Sequence, residues 1–450
     1  MREQLRRWAR WLSPGIGVKR WGLLMALGVL LVSAGVALIV NVQWLGLAEA
    51  VIFRLALSLR MVTRGLLSPT LFGAALILGG AVVGFVGLRG VIRSMAEALI
   101  PAGTTTLIEV LHQQRRRTRG RRIVVMGGGT GLSTLLRGLK AYTENITAVV
   151  TVFDDGGSSG RLRRELGILP PGDIRDCLVA LAESEPLMTD LFEYRFHGGA
   201  LDGHAFGNLF IASLAGVTGD LESAVKQTSK VLNITGRVLP SAVEDVVLVA
   251  EFADGTVIEG ESQITTARRQ IRRVALKPAD VAPAPEVLEA IAEAELIVLG
   301  PGSLYTSVIP NLLVRGVADA IRANRGAARL YVCNVMTQPG ETDGYTASEH
   351  VRALQRLVAP DIVTHALVNT QPPRQRSLLA RYEAEGAHPV PADLDAVRRL
   401  GVVPIPAPLI SEEDVVRHDS EALARALVQF LLAGEPPGSR TAAAGAAAAR

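Results

Sequence analysis

Cysteine is nearly absent: Cys177 and Cys333 are the only two in 450 residues. They lie far apart and no CxxC occurs, which excludes a disulfide framework and a cysteine-rich zinc site and fits a reducing compartment. No HExxH motif or Cys-His cluster is present, so no metal ligand set of the zinc type is read here. No GxSxG elbow is present either, which leaves serine-hydrolase chemistry without support. The net charge of +4 is too small an excess to point to nucleic acid. Aromatic residues are scarce, at 4%. The Ala, Leu, Val and Gly that take their place suit an α/β protein with added membrane segments.

Charge is also missing locally. Gly22–Val40 and Leu66–Leu88 hold no charged residue, and each is long enough to cross a bilayer. Arg2, Arg6, Arg7, Arg10, Lys19 and Arg20 precede the first run, and Arg89 and Arg93 follow the second. Then come Arg115, Arg116, Arg117, Arg119, Arg121 and Arg122. The positive-inside rule puts both outer flanks in the cytoplasm. The loop Asn41–Gly65 would face outward, although Arg54, Arg60 and Arg64 pull it toward the interface. Ala48-Glu49-Ala50 resembles a signal cleavage site. The second span would still return the main domain to the cytoplasm. The Arg115–Arg122 cluster has two readings from one charge pattern: a topology anchor, or a patch for anionic headgroups worth roughly 1 kcal/mol per basic residue.

The most informative stretch is Ile123-Val124-Val125-Met126-Gly127-Gly128-Gly129-Thr130-Gly131-Leu132-Ser133. An apolar strand ends in glycines, and a helical pattern (Leu132, Leu135, Leu136, Leu139) starts at once. A helix start exposes unpaired N–H groups and a positive dipole end, and glycines let an anion approach. A P-loop would need Lys-Ser/Thr after the glycines, and Leu132-Ser133 stands there. The dinucleotide fingerprint also fails, because Thr134 occupies its third glycine position. The turn reads as a phosphate site of moderate specificity.

From Arg121 onward strands and helices alternate. Strand candidates are Ile123–Met126, Ala148–Phe153, Val246–Ala250, Leu296–Leu299, Leu330–Cys333 and Ile362–Leu367. This predicts an α/β fold: a mostly parallel sheet with helices on both faces, whose ligands bind beyond the carboxyl ends of the strands. Those ends carry polar loops: Asp154-Asp155-Gly156-Gly157-Ser158-Ser159-Gly160-Arg161, Gly300-Pro301-Gly302-Ser303, Asn334–Thr342, and Asn369. Asp154 and Asp155 stand where an acid would meet a ribose hydroxyl, or they hold a metal or act on a proton. Asp173, in Pro170-Pro171-Gly172-Asp173, reads as a helix N-cap. His204 has two readings, a structural histidine or, with Asn208 at helical spacing, a residue that faces the cleft.

The ordered set Gly127–Ser133, Asp154–Arg163, Pro170–Leu181, Gly203–Asn208, Gly300–Leu313 and Cys333–Thr342 resembles the gluconeogenesis factor family (YvcK-like), a relative of 2-phospho-L-lactate transferase (CofD-like). The resemblance covers roughly Arg122 to Ala433. It implies a Rossmann-like fold and, in the YvcK-like branch, a UDP-sugar such as UDP-N-acetylglucosamine as ligand. The implied role is support of cell shape and envelope synthesis under gluconeogenic growth. The CofD-like branch instead transfers 2-phospho-L-lactate onto a deazaflavin in coenzyme F420 synthesis. Pro170–Cys177 and Met336–Thr342 look more like the first branch. Carried onto this chain, the phosphate turn is Gly128, Gly129, Thr130 and Gly131, and Asp155 is the acid after the second strand. Asn208, Ser303, Asn334 and Thr337 match cleft positions. Tyr382 and Arg417 match a later region expected to contact nucleotide or sugar. In a transferase, Asp155 would orient or deprotonate the acceptor hydroxyl, and a divalent metal could neutralise the phosphates. A dinucleotide-binding oxidoreductase is a third reading.

The expected organisation is therefore a membrane anchor over residues 1–100, a basic linker over 101–121, the ligand-binding domain over 122–433 and a disordered Ala/Gly/Pro tail over 434–450. The expected location is the plasma or inner membrane, with the domain in the cytoplasm. The oligomeric state stays open, a homo-oligomer included.

Overall fold

The computed structural model describes residues 18–40, 54, 58, 69–99, 117, 120–183, 186–412 and 415–433. The expectations for residues 1–17, most of the 41–65 loop with Ala48-Glu49-Ala50, Arg115, Arg116, Arg119 and the 434–450 tail lie outside them. The chain divides into two units, residues 1–113 and 114–450.

In the first unit, helices α1 (Val18–Val40) and α2 (Pro69–Leu99) pack against each other. Each holds a stretch long and apolar enough to cross a membrane, Arg20–Val40 and Thr70–Val91. Leu23, Leu71 and Leu78 point outward, as lipid-facing side chains would. The pair meets through glycines: a Cβ on Gly28 would lie 2.4 Å from the Gly84 nitrogen, and one on Gly35 2.6 Å from the Gly73 carbonyl. Small residues let apolar helices approach closely where no hydrophobic drive separates them from lipid.

The second unit is built on a seven-stranded parallel sheet. The strands are β1 (Ile123–Gly127), β2 (Ile146–Val150), β3 (Arg237–Pro240), β7 (Leu296–Leu299), β8 (Ala328–Val332), β9 (His365–Asn369) and β10 (Val403–Ala407). Their order is β10-β9-β8-β7-β1-β2-β3, and every pairing is parallel. Strands β1, β2 and β7 are buried at every position, so helices cover both faces. The amphipathic helix α3 (Gly129–Leu139) buries Leu132, Leu135, Leu136 and Leu139. It packs against α5 (Gly172–Leu181), which follows α4 (Gly157–Leu166), and against the C-terminal helix Ser420–Leu432.

Chain order in the sheet runs outward from β1 to β2 and β3, then jumps back across β1 to β7, β8, β9 and β10. Between β1 and β7 the loops diverge to opposite sides. That reversal creates a crevice at the carboxyl ends of the two strands.

Several expectations need correction. The Val246–Ala250 strand is not in the main sheet: β4 (Val247–Phe252) pairs antiparallel with β5 (Val257–Glu259) and β6 (Ile271–Lys277). Its burial alternates residue by residue, the mark of a sheet covered on one face. Strands β3 and β10 were not read from the sequence. Both are edge strands, and β3 ends in Pro240 while β10 carries Pro404 and Pro406; proline is tolerated at an edge because an unpaired N–H is not missed there. The second strand starts at Ile146 and ends at Val150, so Thr151–Phe153 belong to the loop. The strand expected over Ile362–Leu367 spans His365–Asn369. A small hairpin, β11 (Ile410–Glu412) with β12 (Val416–His418), follows β10.

The described linker residues are held by the domain. Arg117 bonds Glu183 and, at 3.0 Å, Thr235; Arg121 pairs with Glu295, and Arg122 with Glu293 at 3.6 Å. The part of the basic cluster that the structure describes thus ties the chain to the amino end of the sheet.

The glycine contacts predict that Gly28→Leu lowers the thermal midpoint of the helical signal of the full chain in detergent, with a cost of about 1–3 kcal/mol from overpacking. Gly79→Leu, where an added Cβ meets nothing within 4 Å, should leave it unchanged. Equal effects from both would contradict this packing.

Candidate functional site

The two glycine turns at the crevice touch. Gly129 has φ +63° and opens α3, with Gly128 as its N-cap. A Cβ on Gly131 would come 2.8 Å from the Pro301 carbonyl, which excludes any side chain there. A Cβ on Gly128 would meet Thr151 Oγ1 at 2.2 Å and Asp173 Oδ2 at 2.4 Å. Buried Asn311 pins the turn from below, donating from Nδ2 to the Gly127 carbonyl at 3.2 Å and the Ser307 carbonyl at 2.9 Å.

Two cavities open above this contact. The first, 360 Å³, is lined by Gly128, Gly129, Thr130, Gly131, Gly302, Ser303, Asn334, Met336 and, from β12, Arg417. It combines a helix start with a cation, the environment that favours an anion. The second, 170 Å³, is lined by Asp154, Asp173, Glu261, Glu341, Thr151, Thr265, Thr306 and Phe153. Gly129, Ser303, Ser307 and Gln338 form the wall between them. A larger cavity of 560 Å³ lies at the amino ends of β1–β3. It is discounted as the main site, since ligands of such sheets sit at the carboxyl ends and its Arg122 already pairs with Glu293.

The second cavity is strongly acidic. Asp173 was expected as an N-cap, but Pro171 holds that position and Asp173 sits inside α5. Its carboxylate turns inward, accepting from Thr151 Oγ1 at 2.8 Å and from the Gly129 N–H. One free N–H at the start of α3 is therefore already taken. Burial pushes the Asp173 carboxyl up to about 6, against those hydrogen bonds. Burial and the neighbouring acids Asp154, Asp173, Glu341 and Asp155 push Glu261 up to about 7. Burial also raises Glu341, whose Oε2 accepts from Ser303 Oγ at 2.6 Å. Asp154 is raised by burial and held back by the Gly156 N–H and the Ser159 hydroxyl.

Among the sequence-predicted residues, Gly128, Gly129, Thr130, Gly131, Asp154, Gly302, Ser303, Asn334 and Arg417 line the two cavities. Asp155 lines neither: its Oδ1 accepts from the Ser262 N–H at 2.8 Å, at the start of the short helix Glu261–Ala267. Asp155, Asp154 and Glu261 nonetheless offer carboxylate oxygens within 4.8 Å of one another. Opposed oxygens at that spacing suit a hard divalent cation bound at about 2.0–2.6 Å. Ser158 and Asn208 turn away, into a buried network. Ser158 Oγ accepts from Asn208 Nδ2 at 3.1 Å and meets His204 Nδ1 at 3.0 Å, and Asn208 Oδ1 accepts from Arg175. That network fixes the start of α4 below the Asp154 loop. Thr337 is buried and exchanges hydrogen bonds with the His388 backbone. Tyr382 packs with Met336, Leu378 and Val416, and donates to the Val416 carbonyl at 3.4 Å; it braces the hairpin that carries Arg417.

Asp173, Glu261 and Glu341 were missed. Asp173 reads from the sequence as a helix N-cap first and a binding residue second, and Glu341 is one polar residue among many in the Asn334–Thr342 loop. Glu261 comes from the antiparallel insertion, which no motif ties to the crevice.

The raised carboxyl of Asp173 carries a pH signature. Its folded value of about 6 exceeds the ordinary carboxyl value of 3.8, so its stabilising contribution is full below about pH 4 and lost as pH rises through 6. Asp173→Asn should abolish that loss. The melting temperature of the variant minus that of the original should rise between pH 4 and 7, on the order of 2–3 kcal/mol in stability. A difference independent of pH would show that the carboxyl is not perturbed in the fold.

Comparison with known proteins agrees with this architecture. Residues 123–410 match the family model of 2-phospho-L-lactate transferase CofD. A relative from Nostoc sp. is 47% identical over 435 residues, covering 95% of this chain and 93% of its own. The gluconeogenesis factor of Bacillus subtilis is 48% identical over 312 residues, covering 69% of this chain and 98% of its own. The crystal structure of protein BH3568 from Bacillus halodurans is 49% identical, with a TM-score of 0.67, and covers 69% of this chain and 100% of its own. The chain therefore belongs to the CofD family, among the gluconeogenesis factors of its YvcK-like branch.

Proposed function

We propose that this chain is a membrane-tethered gluconeogenesis factor that binds a UDP-sugar such as UDP-N-acetylglucosamine in the crevice between β1 and β7. The observation that carries the reading is the donor-rich cradle, where the start of α3 and the Gly302 turn meet under Arg417. Its shape suits a diphosphate, and the resemblance to the YvcK-like branch supplies the nucleotide-sugar. The same resemblance supports a role in cell shape and envelope synthesis under gluconeogenic growth. The two candidate spans that precede the domain, with the flanking arginines, support a domain on the cytoplasmic side of the membrane.

A second reading, a 2-phospho-L-lactate transferase, is favoured by one observation: the Asp154–Asp155–Glu261 cluster fits a divalent cation. Such a cation would neutralise donor phosphates. Asp154 rather than Asp155 faces the cavity and would orient the acceptor hydroxyl. Incubation of the full chain with the activated donor and a deazaflavin acceptor decides this reading: formation of the transfer product supports it, and no product from folded protein removes it.

For the UDP-sugar reading, the full chain in detergent is heated with millimolar UDP-N-acetylglucosamine. Binding to the native state at 100 times Kd stabilises by about 2.7 kcal/mol. Arg417→Ala should weaken binding about tenfold, by loss of a charge-assisted contact, and Gly131→Val should abolish it. No shift at millimolar ligand contradicts the reading.

A further inference from the structure

We propose that the acid-lined second cavity is a specificity pocket, which takes the hydroxyl- and amide-bearing group attached to the nucleoside diphosphate and rejects a group that carries its own carboxylate. The inference rests on the UDP-sugar reading and assigns the orientation of that ligand.

The crevice changes polarity along its length. On one side stand the N–H groups of the α3 start and Arg417. On the other, Asp154, Asp173, Glu261 and Glu341 line a space of 170 Å³ into which no Lys, Arg or His of the described residues projects. Ser303, in the wall between them, belongs to the acceptor side. Ser303 commits its only proton to Glu341 Oε2 at 2.6 Å, so its oxygen offers lone pairs to anything in the crevice. Thr151 likewise commits its proton to Asp173. The Ser303 and Thr151 hydroxyls of this pocket are therefore turned into acceptors. Once these carboxyls are ionised, acceptors that face one another need donors from the ligand, and a further anion placed among them is strongly disfavoured. The volume admits a small group and not a second nucleoside. A ligand with a diphosphate at one end and several hydroxyl or N–H donors at the other satisfies both halves, and only in one direction. The carboxylates thus select by exclusion as much as by attraction.

The test measures affinities of the full chain in detergent for UDP-N-acetylglucosamine, UDP and UDP-glucuronate by calorimetry, first with EDTA and then with magnesium. UDP-N-acetylglucosamine should bind at least about tenfold more tightly than UDP-glucuronate, and EDTA should not remove the difference. Glu341→Gln supplies an amide donor, keeps an acceptor for Ser303 and deletes a charge. It should bring the two sugars closer by several-fold. Glu261→Gln, on the more accessible helix Glu261–Ala267, should act in the same direction if Glu341→Gln does not fold. Equal affinity for the two sugars overturns the inference and leaves the UDP-sugar reading standing. So does a preference for UDP-glucuronate that appears only with magnesium, which would make the acids a cation site. Failure of all three nucleotides to bind overturns both.

Discussion

The close backbone contact between the two glycine turns at the centre of the sheet sets the rest of the structure. The start of α3 and the Gly300–Ser303 turn approach so closely that a Cβ on Gly131 would strike the Pro301 carbonyl. Asn311, reaching up to the Gly127 carbonyl, locks the two from beneath. This contact exists because β1 and β7 are neighbours although the strands between them in sequence lie elsewhere. The reversal of strand order opens the crevice, and the absence of side chains lets backbone N–H groups form its floor.

Around that floor the chain gathers groups from distant places. The β2 loop brings Asp154, α5 brings Asp173, the antiparallel insertion brings Glu261, and the loop after β8 brings Glu341. Each carboxyl is raised by burial, which destabilises the folded chain at neutral pH. A protein does not ordinarily hold four such acids together with so little counter-charge as Arg163 gives Asp154. The cost is concentrated at the crevice, where a donor-bearing ligand would relieve it. The buried Ser158–His204–Asn208–Arg175 network holds the wall below Asp154 without entering the crevice.

Much of this was legible in the sequence. The central strands are continuous apolar runs, and the glycine turn follows β1 directly, so the parallel sheet and its loaded rim could be read together. Edge strands β3 and β10 could not, because their prolines argue against strand where only an edge permits it. The antiparallel insertion hid for a related reason: Val247–Phe252 is apolar enough to pass for a central strand, and only its alternating burial separates it. Side-chain direction was the main loss at the site. Ser158, Asn208 and Thr337 sit in the right segments and point into the protein, whereas Asp173, expected as the cap, sits two residues past the actual cap Pro171 and points into the crevice. Adjacent acids have the same ambiguity: Asp154 faces the cavity and Asp155 turns to the Ser262 N–H. Sequence spacing places a loop at the rim, and tertiary contacts choose which of its residues face the ligand.

The most direct test of the central claim is a crystal structure of the protein with UDP-N-acetylglucosamine. The diphosphate should lie within hydrogen-bond distance of the Thr130 and Gly131 N–H groups, with Arg417 beside it and the sugar directed toward Glu341. A nucleotide seated instead in the cavity at the amino ends of β1–β3, or a sugar directed away from the acids, would contradict it.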